Sequence, residues 1–197
     1  MNEIKRVCVY CASSAKIAKK YFDATEQLGK HLVENNVEVV YGGGAVGLMG
    51  KLADTVLEHG GEVIGIMPQF MRDVELHHKK VARFHFVGDM HERKKRFLDE
   101  ADGLIALPGG CGTLEELLEA LTLKRLGIFT GPIVILNTDG FYDPLETMLK
   151  RCIDENFMAQ EHRKMWTTVR EPEEILDALR EAPTWSKDAI QFATFRK

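Results

Sequence analysis

Short apolar runs alternate with longer amphipathic ones along almost the whole chain, and no other feature of the sequence restricts its fold as much. IKRVCVYC (4–11), VEVVYGGG (37–44), EVIGIMP (62–68), VARFHFVG (81–88), GLIALPGG (103–110) and PIVILN (132–137) each read as a strand, several running straight into a turn. Between them lie stretches with helical spacing: 17–35, 46–61, 89–101 with Asp89 as N-cap, 113–127 with Thr113 as N-cap, and 143–157. MWTTV (165–169) reads as a short last strand and EPEEILDALREA (171–182) as a last helix, while 69–80 is polar and irregular. Alternation of this kind predicts an α/β chain, a single Rossmann-like domain over 1–197 with a mostly parallel sheet and helices on both faces. VCVYC, GLIAL and PIVIL are apolar at nearly every position, as strands buried on both sides are. The tail from about residue 183 is expected to be loosely held.

Ligands of such sheets bind beyond the carboxyl ends of the strands. That edge collects CASSA (11–15), YGGGAVGLMG (41–50), GDMHERK (88–94) and PGGCGTLEE (108–116). In the second of these, Gly42, Gly44 and Gly47 match G-x-G-x-x-G. The acidic residue that a dinucleotide site wants at the end of the next strand is missing, because that strand ends in Met67-Pro68-Gln69 and Glu62 stands at its start. The turn therefore reads as close packing with some contact to a small ligand.

PGGCGT places glycine amides at a helix N-terminus, where they suit an anion. It lacks the G-K-[ST] of a P-loop, so a monophosphate fits better than a triphosphate. Glu115 and Glu116 follow at once. Glu116 stands three after Thr113, the spacing of a capping box, and either acid is alternatively aimed into the cleft. Arg93 and Lys94 open the helix after GDMH, where a guanidinium could hold a phosphate or steer a carboxylate, and His91 is a weaker candidate for a general acid.

The net charge of -4 argues against a nucleic-acid partner. No apolar run reaches the length of a membrane span, and the start of the chain lacks a signal-peptide layout, so a cytoplasmic protein is expected. Cys8 and Cys11 form a C-x-x-C inside the first strand, where positions three apart face opposite ways; buried thiols are the expectation. No histidine spacing suggests a metal site, and no metal or cofactor is expected.

These stretches together resemble the Lonely Guy (LOG) family of cytokinin-activating nucleoside monophosphate phosphoribohydrolases. Its marker P-G-G-x-G-T-x-x-E is filled by Pro108, Gly109, Gly110, Gly112, Thr113 and Glu116, and M-H-x-R-K by Met90, His91, Arg93 and Lys94. Tyr41 to Gly50 match Y-G-G-G-x-x-G-L-M-G, and Cys11-Ala12-Ser13-Ser14 is similar to C-G-S-S. The resemblance implies hydrolysis of a nucleoside 5'-monophosphate to free base and ribose 5-phosphate, with adenine or an N6-modified adenine as base, and a homodimer. It implies Arg93 and Glu116 as the catalytic pair. Gly109, Gly110, Cys111, Gly112, Thr113, Leu114 and Glu115 would line phosphate and ribose, with Glu75, Lys94, Thr122, Gly43, Gly44 and Ser13 as further contacts. Cys111 and Leu123 depart from the family, which usually has an aromatic residue at the first position and often Trp at the second. A nucleotide or cofactor carrier on the same fold, with no turnover, is the alternative.

Overall fold

The computed structural model describes residues 2–72 and 77–193. Seven parallel strands form one sheet: β1 (Arg6–Tyr10), β2 (Glu38–Tyr41), β3 (Val63–Pro68), β4 (Arg83–Val87), β5 (Gly103–Ala106), β6 (Ile133–Leu136) and β7 (Thr167–Val169), in the spatial order β4-β3-β2-β1-β5-β6-β7. β1 lies between β2 and β5, with Cys8 in register with Val40 on one side and Leu104 on the other. The strand order reverses at β1 and β5, and their carboxyl ends form the switch-point crevice.

Alternate side chains along each strand enter two separate cores. Val7, Val9 and Cys11 join the core covered by α1 (Lys19–Glu34), α2 (Gly47–Glu58) and α6 (Ile175–Glu181) through Leu28, Leu52 and Leu179. Cys8 and Tyr10 join the other, covered by α3 (Met90–Asp99), α4 (Cys111–Arg125) and α5 (Asp143–Asp154) through Phe97, Leu117 and Leu149. The C-x-x-C is thus split between the cores, both thiols free and buried.

The start of α4 and the packing of the tail differ from expectation, and the crossover after β3 is irregular as expected. Helix α4 begins at Cys111, with Gly110 as N-cap and no side-chain cap. Thr113 is therefore inside the first turn, and no Thr113–Glu116 capping box forms; Glu116 is left for other work. The crossover from β3 to β4 carries only a 3-10 turn, Gln69–Met71, among its described residues, and an antiparallel bridge from His77 to Gly44. Asp89 caps α3 as expected, accepting from the Glu92 amide at 2.8 Å. The described part of the tail packs onto α4: the Trp185 indole donates to the Lys124 carbonyl at 2.6 Å and Ala189 is buried. A last short helix, α7 (Ile190–Ala193), follows.

Candidate active site

The loops after β1 and β5 are tied together at the crevice. The Leu107 amide donates to the Tyr10 carbonyl at 2.9 Å, and the Ala12 amide to the Pro108 carbonyl at 3.3 Å. The Ala12 carbonyl in turn accepts from the amides of Leu48 and Met49, at 2.9 and 3.3 Å. The N-terminal amides of α2 are thereby spent on the neighbouring loop. Gly47 allows this approach: its φ is +67°, and a Cβ there would stand 2.5 Å from the Ser13 carbonyl carbon. The glycine turn after β2 thus serves packing, which is why it cannot hold a dinucleotide in the usual way.

The N-terminus of α4 is arranged differently. Its first intrahelical bond runs from the Leu114 amide to the Gly110 carbonyl at 3.0 Å. The amides of Cys111, Gly112 and Thr113 precede it, and no acceptor among the described residues takes them. Gly110 and Gly112 have open space where a Cβ would stand, so a ligand can approach this backbone closely. Thr113 packs down on Gly109 instead, where a Cβ would collide with it. A 15-residue helix with unspent amides at its start favours an anion there.

These amides open into a cavity of about 410 Å³, shared with Ser13, Ser14 and Gly42, a wall of Tyr10, Met49, Met71, Met90 and Phe97, and the charged Arg93, Glu115 and Glu116. Arg93 projects from the first turn of α3 and is 6% exposed. Its Nη2 donates to the Gly42 carbonyl at 3.2 Å, its guanidinium carbon stands 5.2 Å from the Phe97 ring centre, and the sulfurs of Met90 and Met71 lie 3.8 and 3.9 Å from Nη1. Its Nε is buried with no partner. Gly42 makes room for this guanidinium, because a Cβ there would collide with Nη2.

The two glutamates part company. Glu115 is 56% exposed and pairs with Lys94 at 2.6 Å; Lys94 also reaches Glu119 at 3.0 Å. The Glu116 carboxyl makes no hydrogen bond or ion pair with any described residue. Burial pushes its carboxyl up to about 7, with the charge of Arg93 pulling against it and that of Glu115 adding to it. A carboxyl poised near neutral pH, beside an arginine and a helical turn beyond free amides, can bind at one end of a small molecule and exchange a proton at the other.

Of the residues picked out from the sequence, Ser13, Arg93, Gly110, Cys111, Gly112, Thr113, Glu115 and Glu116 meet in this cavity. Gly109 faces a smaller one of about 280 Å³ on the other side of the turn, with Ile17, Tyr21 and Phe141. Lys94, Leu114 and Thr122 do not line the main cavity: Lys94 is held by two acids, and the Thr122 hydroxyl turns back to the Leu118 carbonyl. Gly43 and Gly44 stand outside it too, bonded to His78 and bridged to His77. Glu75 lies outside the described residues. His91 is exposed and off the cavity. Sequence reasoning missed Tyr10, Phe97 and the methionines as a cavity wall, although Met49 and Met90 stood in quoted motifs.

The profile of a family described as "Possible lysine decarboxylase" matches residues 49–179. The cytokinin riboside 5'-monophosphate phosphoribohydrolase LOG2 of Arabidopsis thaliana is 41% identical over 180 residues, covering 91% of this chain and 84% of that protein. The enzyme of the same name, LOG, from Oryza sativa subsp. japonica is 41% identical over 180 residues, 91% of this chain and 74% of its own. Among solved structures, the molybdenum cofactor carrier protein of Chlamydomonas reinhardtii superposes with a TM-score of 0.69 at 19% identity, over 91% of this chain and 98% of that one. That likeness is one of fold.

Proposed function

We propose, for a chain that belongs to the Lonely Guy (LOG) family, the hydrolysis of the N-glycosidic bond of a nucleoside 5'-monophosphate, AMP or an N6-modified AMP such as a cytokinin riboside 5'-monophosphate, to free base and ribose 5-phosphate. One observation carries it: the unspent amides of Cys111, Gly112 and Thr113 and the half-buried carboxyl of Glu116 face one cavity beside Arg93. The amides take the 5'-phosphate. Glu116 stands further along the same helix, towards the ribose, where positive charge grows as the bond to the base breaks. Ionised, it stabilises that charge and takes a proton from the attacking water, and the departing base needs a proton in exchange. Arg93 stays charged throughout, so it orients carboxylate and substrate and gives up no proton.

The carrier alternative accounts for the amides but gives no work to a half-buried carboxyl that shares the cavity with an arginine. We also expect a homodimer; the exposed Leu118 on α4 and Ile128 beyond its end, 41% and 69% exposed, support an apolar contact there. Light scattering on the purified protein tests it.

Release of ribose 5-phosphate from AMP, set against release of ribose from adenosine, tests the activity. Two charge-assisted hydrogen bonds to phosphate, at about 1.5 kcal/mol each, predict a kcat/KM at least ~100-fold higher for AMP. Equal values for the two substrates would refute the phosphate site, and absence of sugar release from any nucleoside monophosphate would refute the activity.

A further inference from the structure

We propose that Cys111 is a thiol-modification site, at which exchange with a low-molecular-weight disulfide of the glutathione type closes the cavity to nucleotide. Among the four cysteines, Cys8 and Cys11 are buried, and burial pushes both thiols up, away from the reactive thiolate. Cys152 is half-buried on α5 and lines neither crevice cavity. Cys111 is exposed, is the first residue of α4, and lines the main cavity. Its neighbours Gly110 and Gly112 leave the approach to it open.

A second observation favours an anion in the same cavity. Arg93 is buried to all but 6%, lines the same cavity, and keeps its Nε without a partner. Of the two carboxylates that share the cavity, Glu115 is already paired with Lys94. A disulfide carrying carboxylates at its ends meets both the guanidinium and the free amides of α4.

The step is an exchange. Cys111 gives its proton to solvent, and its sulfur attacks one sulfur of the incoming disulfide. The old S–S bond breaks as the new one forms, and the other half leaves as a thiolate that takes up a proton. The incoming disulfide is the oxidant, and a second free thiol reverses the step. The adduct sits at the amide assigned above to the 5'-phosphate, so the inference rests on that assignment, and nucleotide and adduct exclude each other.

The test incubates the protein with glutathione disulfide, with and without AMP, and reads intact mass, the modified peptide, AMP binding by calorimetry, and turnover. Expected are one glutathionyl group per chain on Cys111 and AMP binding weakened at least ~tenfold, both reversed by dithiothreitol. AMP at ten times its Kd should slow labelling roughly tenfold by occupying the site. C111S should take no adduct, and its own AMP binding should not change on treatment, whereas C152S should label as the parent does. Labelling confined to another cysteine, an adduct on Cys111 that spares AMP binding, or a labelling rate indifferent to AMP would overturn the inference. A parent that binds AMP and is closed by the adduct but releases no ribose 5-phosphate would overturn the activity alone; one that binds no AMP would overturn both.

Discussion

Replacing Glu116 by Gln should stabilise the folded protein at alkaline pH and do so much less at pH 5. Burial holds this carboxyl at about 7 when folded, against an ordinary value of 4.5. Well below pH 4.5 the group is protonated in both states and contributes nothing. As pH rises from 4.5 towards 7 the unfolded chain loses the proton first, so the folded state loses relative stability, and above about 7 the penalty is complete. At about 1.36 kcal/mol for each pH unit between the two values, the ceiling is roughly 3 kcal/mol, reduced where cavity water screens the carboxylate. Since 1 kcal/mol moves Tm by about 2–4 °C for a chain of this length, the Tm advantage of E116Q should grow by at least ~3 °C between pH 5 and pH 8.5. Thermal melts of both proteins across this range, in buffers free of phosphate and without nucleotide, provide the reading. No substrate is present, so the ionisation of a phosphate monoester near pH 6 does not intrude, and groups common to both proteins cancel. A difference in Tm that stays flat with pH, or an E116Q protein less stable than its parent at pH 8.5, would refute the buried, uncompensated carboxyl.

Three further substitutions separate the parts of the site. E116Q should lower kcat/KM with AMP by ~100-fold or more, but Glu115→Gln by less than ~fivefold, because Lys94 holds Glu115 and keeps Glu119 when it is gone; similar losses in the two would reverse the assignment. Gly42→Ala inserts a Cβ against Arg93 Nη2, the end of a flexible side chain, so the protein should melt within ~3 °C of its parent while kcat/KM falls at least ~tenfold. Unchanged kinetics in G42A would show that the position of Arg93 is immaterial. Gly47→Ala places a side chain at φ +67° against the Ser13 backbone and should cost ~2 kcal/mol or more, read as a Tm lowered by ~4 °C or more; a Tm equal to that of the parent would refute the packing role of this turn.

The parts that were legible in the sequence are those set by local physics. Strand after strand, VCVY, VIGIMP, GLIA and IVIL are buried at every position, where continuous apolar runs predict it. What was not legible depends on the spending of local groups by distant partners. The amides at the start of α2 look as available as those of α4 until Ala12, more than thirty residues away, takes them. Lys94 reads as a further ligand contact until Glu115 and Glu119 are found beside it. Met49, Met71 and Met90 come from three separate segments, so no window of sequence shows them as one wall. The start of α4 was misplaced because Gly110 and Gly112 read as turn residues, although a glycine N-cap costs a helix little.

That early start resolves the apparent conflict in PGGCGTLEE between amides that attract an anion and acids that repel one. With Gly110 as N-cap, the amides of Cys111 to Thr113 point out of the helix end, whereas Glu116 is the sixth residue of the helix, with a full turn between them. Glu115, the acid nearer the amides, is neutralised by Lys94 from α3. Glu116 shows little negative charge below about pH 7, since burial favours its protonated form. Helix α3 supplies both cations, Lys94 to remove one charge and Arg93 to temper the other, from consecutive positions on a helix capped by Asp89. A phosphate can therefore enter a site that carries two carboxyls, and the role proposed for the second asks it to be ionised only where a sugar gains positive charge. Were Lys94 replaced by Met, Glu115 would face the phosphate unpaired, and the loss should fall on KM for AMP far more than on kcat.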